Sequence, residues 1–170
     1  GVVFANRYYE SYKMIHNDGY DFNASTEYCI NKLKANGYVI SLNFEQIGNR
    51  KEHVMSLSVK TLEKFKTIQI TNMLFITEND VKSITINSQV TPFVESIEFG
   101  EKEIYVTYIE FSNLRLDKLF NNTKNSFPVE LKVKGKLDSK EFEEDFKYIA
   151  EKYQRKKTAP DWLYRLFPGM

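Results

Sequence analysis

Apolar residues recur along this chain with two periods, and the switch between them sets the first boundary. Tyr8, Tyr12 and Ile15 recur at helical spacing within Asn6–Ile15, and Asn17-Asp18-Gly19 supplies a stop, which predicts a helix. A second helix is predicted after Ser25 or Thr26 as its cap. Tyr28, Cys29, Ile30 and Leu33 fall at helical spacing, and Asn36-Gly37 offers the left-handed residue that ends it. Beyond Gly37 the period falls to two. Tyr38, Ile40, Leu42 and Phe44 alternate with Val39, Ser41, Asn43 and Glu45; a Gly48-Asn49-Arg50-Lys51 turn follows; then Met55, Leu57 and Val59 alternate with Val54, Ser56 and Ser58. This is the pattern of a β-hairpin with one inward face.

Strand signals continue at short intervals. In Phe65–Thr77 the apolar phase runs Ile68, Ile70 and then Met73, Phe75, so it slips near Thr71-Asn72. Such a slip predicts a bulge, the device by which a strand changes sheets. Lys82–Asn87 and the stretch through Phe93, Ile97 and Phe99 follow. Ile104–Phe111 is apolar on both faces, as a doubly covered central strand would be. Ser112 is placed to cap a helical turn carrying Leu116, Leu119 and Phe120. Val129, Leu131 and Val133 then alternate with Glu130, Lys132, Lys134 and Lys136, and the lysines read as protection of an outer strand against edge pairing. Phe142–Tyr153 fits both templates. Asp138 and Glu141 are spaced as a helix capping box, whereas pairing with the preceding strand favours a hairpin, the reading adopted.

The expectation is therefore an α+β chain. An N-terminal helical segment (1–37) precedes an immunoglobulin-like antiparallel β-sandwich of about seven or eight strands (38–157), and an aromatic tail (158–170) packs on the domain or on a partner.

Composition narrows the function more than the fold. At 42% hydrophobic and 15% aromatic over 170 residues, the chain has the makings of one substantial core. Its 24 basic against 23 acidic residues leave a net charge of +1, which argues against nucleic acid as a partner. The basic cluster Lys152, Arg155, Lys156 and Lys157 follows the acidic run Glu141, Glu143, Glu144 and Asp145, so charge is organised locally. Cys29 is the only cysteine, which excludes an intrachain disulfide. Val3-Phe4-Ala5 before Asn6 resembles the end of a signal or anchor segment, and Asn, Lys, Tyr and Phe usage suits an AT-rich bacterial genome. These features predict a periplasmic or cell-envelope location with an N-terminal membrane anchor upstream; the competing reading is a short N-terminal strand and a cytoplasmic protein. No run of 18 apolar residues is present.

Candidate chemistry is sparse. His16, Asp18 and Asp21 cluster around a turn, but a divalent site recruits more ligands, and a solvated turn is the stronger reading. His53 reads as a surface histidine, and Cys29, on the side of its helix that carries Leu33, as a core residue. Phosphate-loop, dinucleotide, nucleophile-elbow and metalloprotease motifs are absent, and no cofactor is implied. Tyr8, Tyr9 and Tyr12 near the start and Trp162, Tyr164 and Phe167 near the end exceed the obvious needs of one core, and make the candidate partner-binding residues. The competing reading is that both termini complete the core. The expected function is a non-enzymatic, extracytoplasmic bacterial domain that binds a protein or glycan partner or scaffolds an envelope assembly. The alternative is a small-substrate hydrolase using fold-assembled carboxylates or Cys29 with His16.

Overall fold

A computed structural model describes residues 7–17, 26–46, 52–90, 95–99, 102–120, 124–157 and Leu166. In chain order the elements are β1 (Arg7–His16), α1 (Thr26–Asn36), β2 (Tyr38–Gln46), β3 (His53–Thr61), β4 (Ile68–Ile76) and β5 (Val81–Val90). They continue with β6 (Glu95–Phe99), β7 (Lys102–Leu114), α2 (Leu116–Leu119), β8 (Ser126–Leu137) and β9 (Lys140–Lys157). The strands form two antiparallel sheets, ordered β1-β9-β8-β4-β5 and β2-β3-β7-β6, which face one another as a sandwich.

The period-two segments fold as their patterns dictate. In β2 and β3 the inward residues Ile40, Leu42, Met55, Leu57 and Val59 are buried, and they meet Ile68, Ile70, Leu131, Val133 and Phe146 of the opposite sheet. Phe142–Tyr153 lies within β9, which pairs with β8 through the two-residue Asp138-Ser139 turn. Asp138 sits at φ 52° there, a conformation Asp tolerates better than most residues. Its Oδ1 accepts from the backbone N–H groups of Lys66 (2.8 Å) and Thr67 (3.0 Å), pinning the hairpin tip to the segment that enters β4.

Four expectations are corrected. Asn6–Ile15 does not form a helix: Arg7–His16 is strand β1, paired residue by residue with Lys157–Tyr148 of β9. Local helical spacing yields to a long strand edge of β9 that pairs the backbone groups on one side of the segment. The slip in β4 is a bulge, since its registers with both β5 and β8 shift between Ile70 and Asn72, but β4 keeps the same two neighbours throughout and does not change sheets. The extra residue, Thr71, rephases the strand so that Ile68, Ile70, Met73 and Phe75 all face the core. The lysines of β8 do not guard an edge, because β8 lies between β9 and β4. Finally, the turn at Leu116 is capped by Arg115, without a side-chain cap hydrogen bond, and not by Ser112.

Helix α1 packs on the outside of the second sheet, where Cys29 and Leu33 cover Val39, Ile104 and Val106. This is why β7 reads as apolar on both faces: its other face carries Ile109 into the inter-sheet core. The cover is partial, since Tyr108 is 63% exposed on the face that carries Ile104 and Val106. Gly37, at φ 81°, ends α1, and its N–H donates to Leu33 O.

At one end of the sandwich Phe120 is an aromatic hub. Its ring lies edge-on to Tyr12 (5.1 Å), Phe127 (5.4 Å) and Phe75 (6.2 Å), tying the residue after α2 to β1, β8 and β4. Gly135 leaves no room for a side chain in the first sheet: a Cβ there would run into Gln69 O and stand 2.8 Å from the Phe142 ring. Gly135→Ala is expected to destabilise the protein by about 1–3 kcal/mol or more, because the backbone itself must move. Gly37→Ala meets no neighbour and is expected to cost about 1–2 kcal/mol through its backbone angle alone. Urea denaturation of the two variants tests this ordering.

Candidate functional site

The first and last strands meet in register. Arg7 lies opposite Lys157, Tyr8 opposite Lys156, Tyr9 opposite Arg155 and Tyr12 opposite Lys152. The tyrosines near the start and the basic cluster near the end are thus one two-stranded element. β8 begins at Ser126 opposite Glu151, and the Lys152 N–H donates to Asn125 O at 2.8 Å. Beyond that point, among the described residues, Tyr153–Lys157 has β1 as its only strand neighbour. The result is a ribbon with backbone hydrogen-bonding groups along its edges.

The sequence-predicted residues divide on this frame. Tyr8 and Tyr9 belong to the ribbon by register. Tyr12 turns inward: it is 3% exposed and stacks edge-on against Phe120 and Phe127, so its ring serves the core. Trp162, Tyr164 and Phe167 lie outside the described residues; Leu166 among them is 66% exposed.

Cys29 and His16 are not brought together. Cys29 is buried beneath α1 on the outer side of the second sheet, while His16 belongs to β1 of the first sheet, where its ring lies 4.6 Å from that of Tyr148. Asp18 and Asp21, the other members of the turn cluster, lie outside the described residues. His53 is a correction. It opens β3 in phase with Met55 and Leu57, faces inward and is 3% exposed.

The carboxylates noticed in the sequence mostly hold charge on the outer face of the first sheet. Register sets Lys136 opposite Glu141, Lys134 opposite Glu143, Lys132 opposite Asp145 and Glu130 opposite Lys147. Lys132 Nζ stands 3.6 Å from Asp145 and 3.7 Å from both Glu130 and Glu143, and Asp145 foremost raises its pKa. This ladder accounts for the near-zero net charge of the region. Opposite charges across a strand pair stabilise register modestly.

Glu144 differs. It lies on the inward side of β9, where it accepts a hydrogen bond from the Tyr38 hydroxyl, and Tyr38 also meets the ring of Phe142. Burial first, then the negative charge of Glu144 and that hydrogen bond, push the Tyr38 phenol up to about 12. All three favour the neutral phenol.

Sequence reading passed over a cavity of about 330 Å³ between the sheets. Met55 of β3, Met73 of β4, Ile84 of β5 and Phe111 of β7 supply walls, and Arg115 and Lys118 lie where α2 crosses the opening. Arg115 is held by Asp117 through Nε–Oδ1 (2.8 Å) and Nη2–Oδ2 (2.7 Å), which raises the guanidinium pKa. The inward phases of Met55, Met73 and Phe111 were legible; that a space remains beside them was not, because its lining comes from four strands and α2, distant in sequence.

No protein-family model matches this chain, and no curated protein matches it in sequence. Among the described residues no helix is long and apolar enough to cross a membrane.

The Tyr38–Glu144 contact has a pH signature. An unfolded tyrosine ionises near pH 10 and Tyr38 near 12, so the contact's contribution to stability is complete below pH 10 and is lost as pH rises through 12. The unfolding free energy of the wild type minus that of Tyr38→Phe is expected to fall between about pH 9 and about pH 11.5 in urea titrations. A constant difference would count against the contact.

Proposed function

We propose that this chain is a non-enzymatic, extracytoplasmic bacterial domain that binds a protein partner through the β1–β9 ribbon. The observation that carries the reading is the register of Tyr8 and Tyr9 against Lys156 and Arg155. Tyrosine and arginine dominate the energetics of protein interfaces, because they supply large contact area together with a polar or charged handle. An extended partner segment also gains main-chain hydrogen bonds from an open strand edge, and acidic side chains on it complement the basic residues.

Two further supports come from the chain itself. Residues Val3-Phe4-Ala5 have the small and β-branched character of a processed export segment, and residue usage suits an AT-rich bacterial genome. The separation of Cys29 from His16 and the pairing of the β9 acids with β8 lysines weaken the hydrolase alternative. The immunoglobulin-like description belongs to this proposal in the architectural sense only: two facing antiparallel sheets.

A photo-crosslinking amino acid at Tyr9, expressed in cells, tests the reading. The expected result is a discrete protein adduct that disappears when Arg155→Glu and Lys156→Glu are added, and that is not formed from the exposed position Lys82. Equal labelling from Tyr9 and Lys82 would remove the ribbon as the binding element. An adduct consisting of carbohydrate would replace the protein partner with a glycan.

A further inference from the structure

The inter-sheet cavity is independent of the ribbon and has a chemistry of its own. Protein interiors are packed like organic crystals, and residual voids are seldom larger than a water molecule. A space of about 330 Å³ is far beyond a packing defect and lies at the lower end of small-molecule sites, which run to about 300–1,000 Å³. Its walls are apolar side chains from both sheets, namely Met55, Met73, Ile84, Phe111, Leu114 and Leu119. Two are methionines, whose unbranched side chains adapt to the contour of a flexible ligand.

Polar groups are confined to Ser112, Arg115 and Lys118, all on the segment that leaves β7 and forms α2. The bidentate pair between Arg115 and Asp117 neutralises both charges. Glu52 acts on Arg115 as well, so the guanidinium is fully balanced; Lys118, exposed and outside every ion pair among the described residues, is the cation left at the opening to meet an anionic head group. The geometry points to a binding site for a free single-chain fatty acid, with the acyl chain between the sheets and the carboxylate at Lys118 and the Ser112 hydroxyl. The volume suits one chain of about ten carbons, each occupying roughly the 30 Å³ of a liquid water molecule. A two-chain lipid does not fit.

Decanoate, below its micellar concentration, is the probe, and the methyl resonances of Met55 and Met73 in the full chain are the readout. Saturable one-to-one binding that shifts both methyls is expected, with decyltrimethylammonium at least about tenfold weaker. Lys118→Glu, on the surface, is expected to weaken decanoate about tenfold and leave decanol unchanged. Ile84→Trp, which fills the cavity from the edge strand, is expected to abolish the shifts. Phosphatidylglycerol vesicles are expected to leave the methyls unmoved. Three results would each overturn the proposal: unmoved methyls with decanoate, equal affinity for the cationic amphiphile, or decanoate binding unaffected by Lys118→Glu. Vesicles that shift the methyls where decanoate does not would replace the fatty acid with membrane lipid.

Discussion

One strand serves two partners in succession, and the first sheet is built around it. The 18 residues of β9 pair with β8 along Lys140–Glu151 and with β1 along Tyr148–Lys157, so the two partners overlap over only a few residues. Without β1, the end of β9 from Tyr153 to Lys157 would present unpaired backbone groups on both sides, an arrangement that strands avoid. Without β9, Arg7–His16 would have no strand partner, and its local pattern alone reads as helical. Each segment resolves the other's conformational ambiguity through hydrogen bonds that neither can make locally.

The consequences extend into the core and onto the surface. Inside, β1 delivers Tyr12 to the aromatic cluster around Phe120, where rings from four separate parts of the chain close one end of the sandwich. Outside, the β8–β9 register sets lysine against acid along the face of the sheet. Past the end of β8 the same strand carries its basic residues opposite tyrosines, with no acidic strand alongside. Charge that is compensated in one half of β9 is therefore concentrated in the other, which is why the ribbon, rather than the sheet face, carries the proposed binding role.

Much of the fold was legible in the sequence because alternation survives wherever one face of a strand is buried. The β2–β3 hairpin, α1 with its Gly37 stop, the bulge at Thr71 and the burial of Cys29 with Leu33 all follow from local pattern. What failed depended on distant partners. Three aromatic or apolar residues at helical spacing could not announce that a strand some 140 residues later would pair with them. The β8 lysines could be assigned to an edge only while their acidic partners were unknown, and His53 looked exposed because its own strand segment carries no sign of its 3% exposure. The ribbon was half visible, as two separate clusters, and the cavity was invisible, since its lining comes from four strands and α2, distant in sequence.

The register of β1 against β9 is the claim on which the rest stands, and cross-strand nuclear Overhauser effects in the full chain measure it directly. The account predicts backbone contacts linking Tyr8 with Lys156, Tyr9 with Arg155 and Tyr12 with Lys152. Helical contacts between residues three apart over Arg7–Ile15, or a register offset by one residue, would contradict it, because either would take Tyr12 out of the core and dissolve the ribbon.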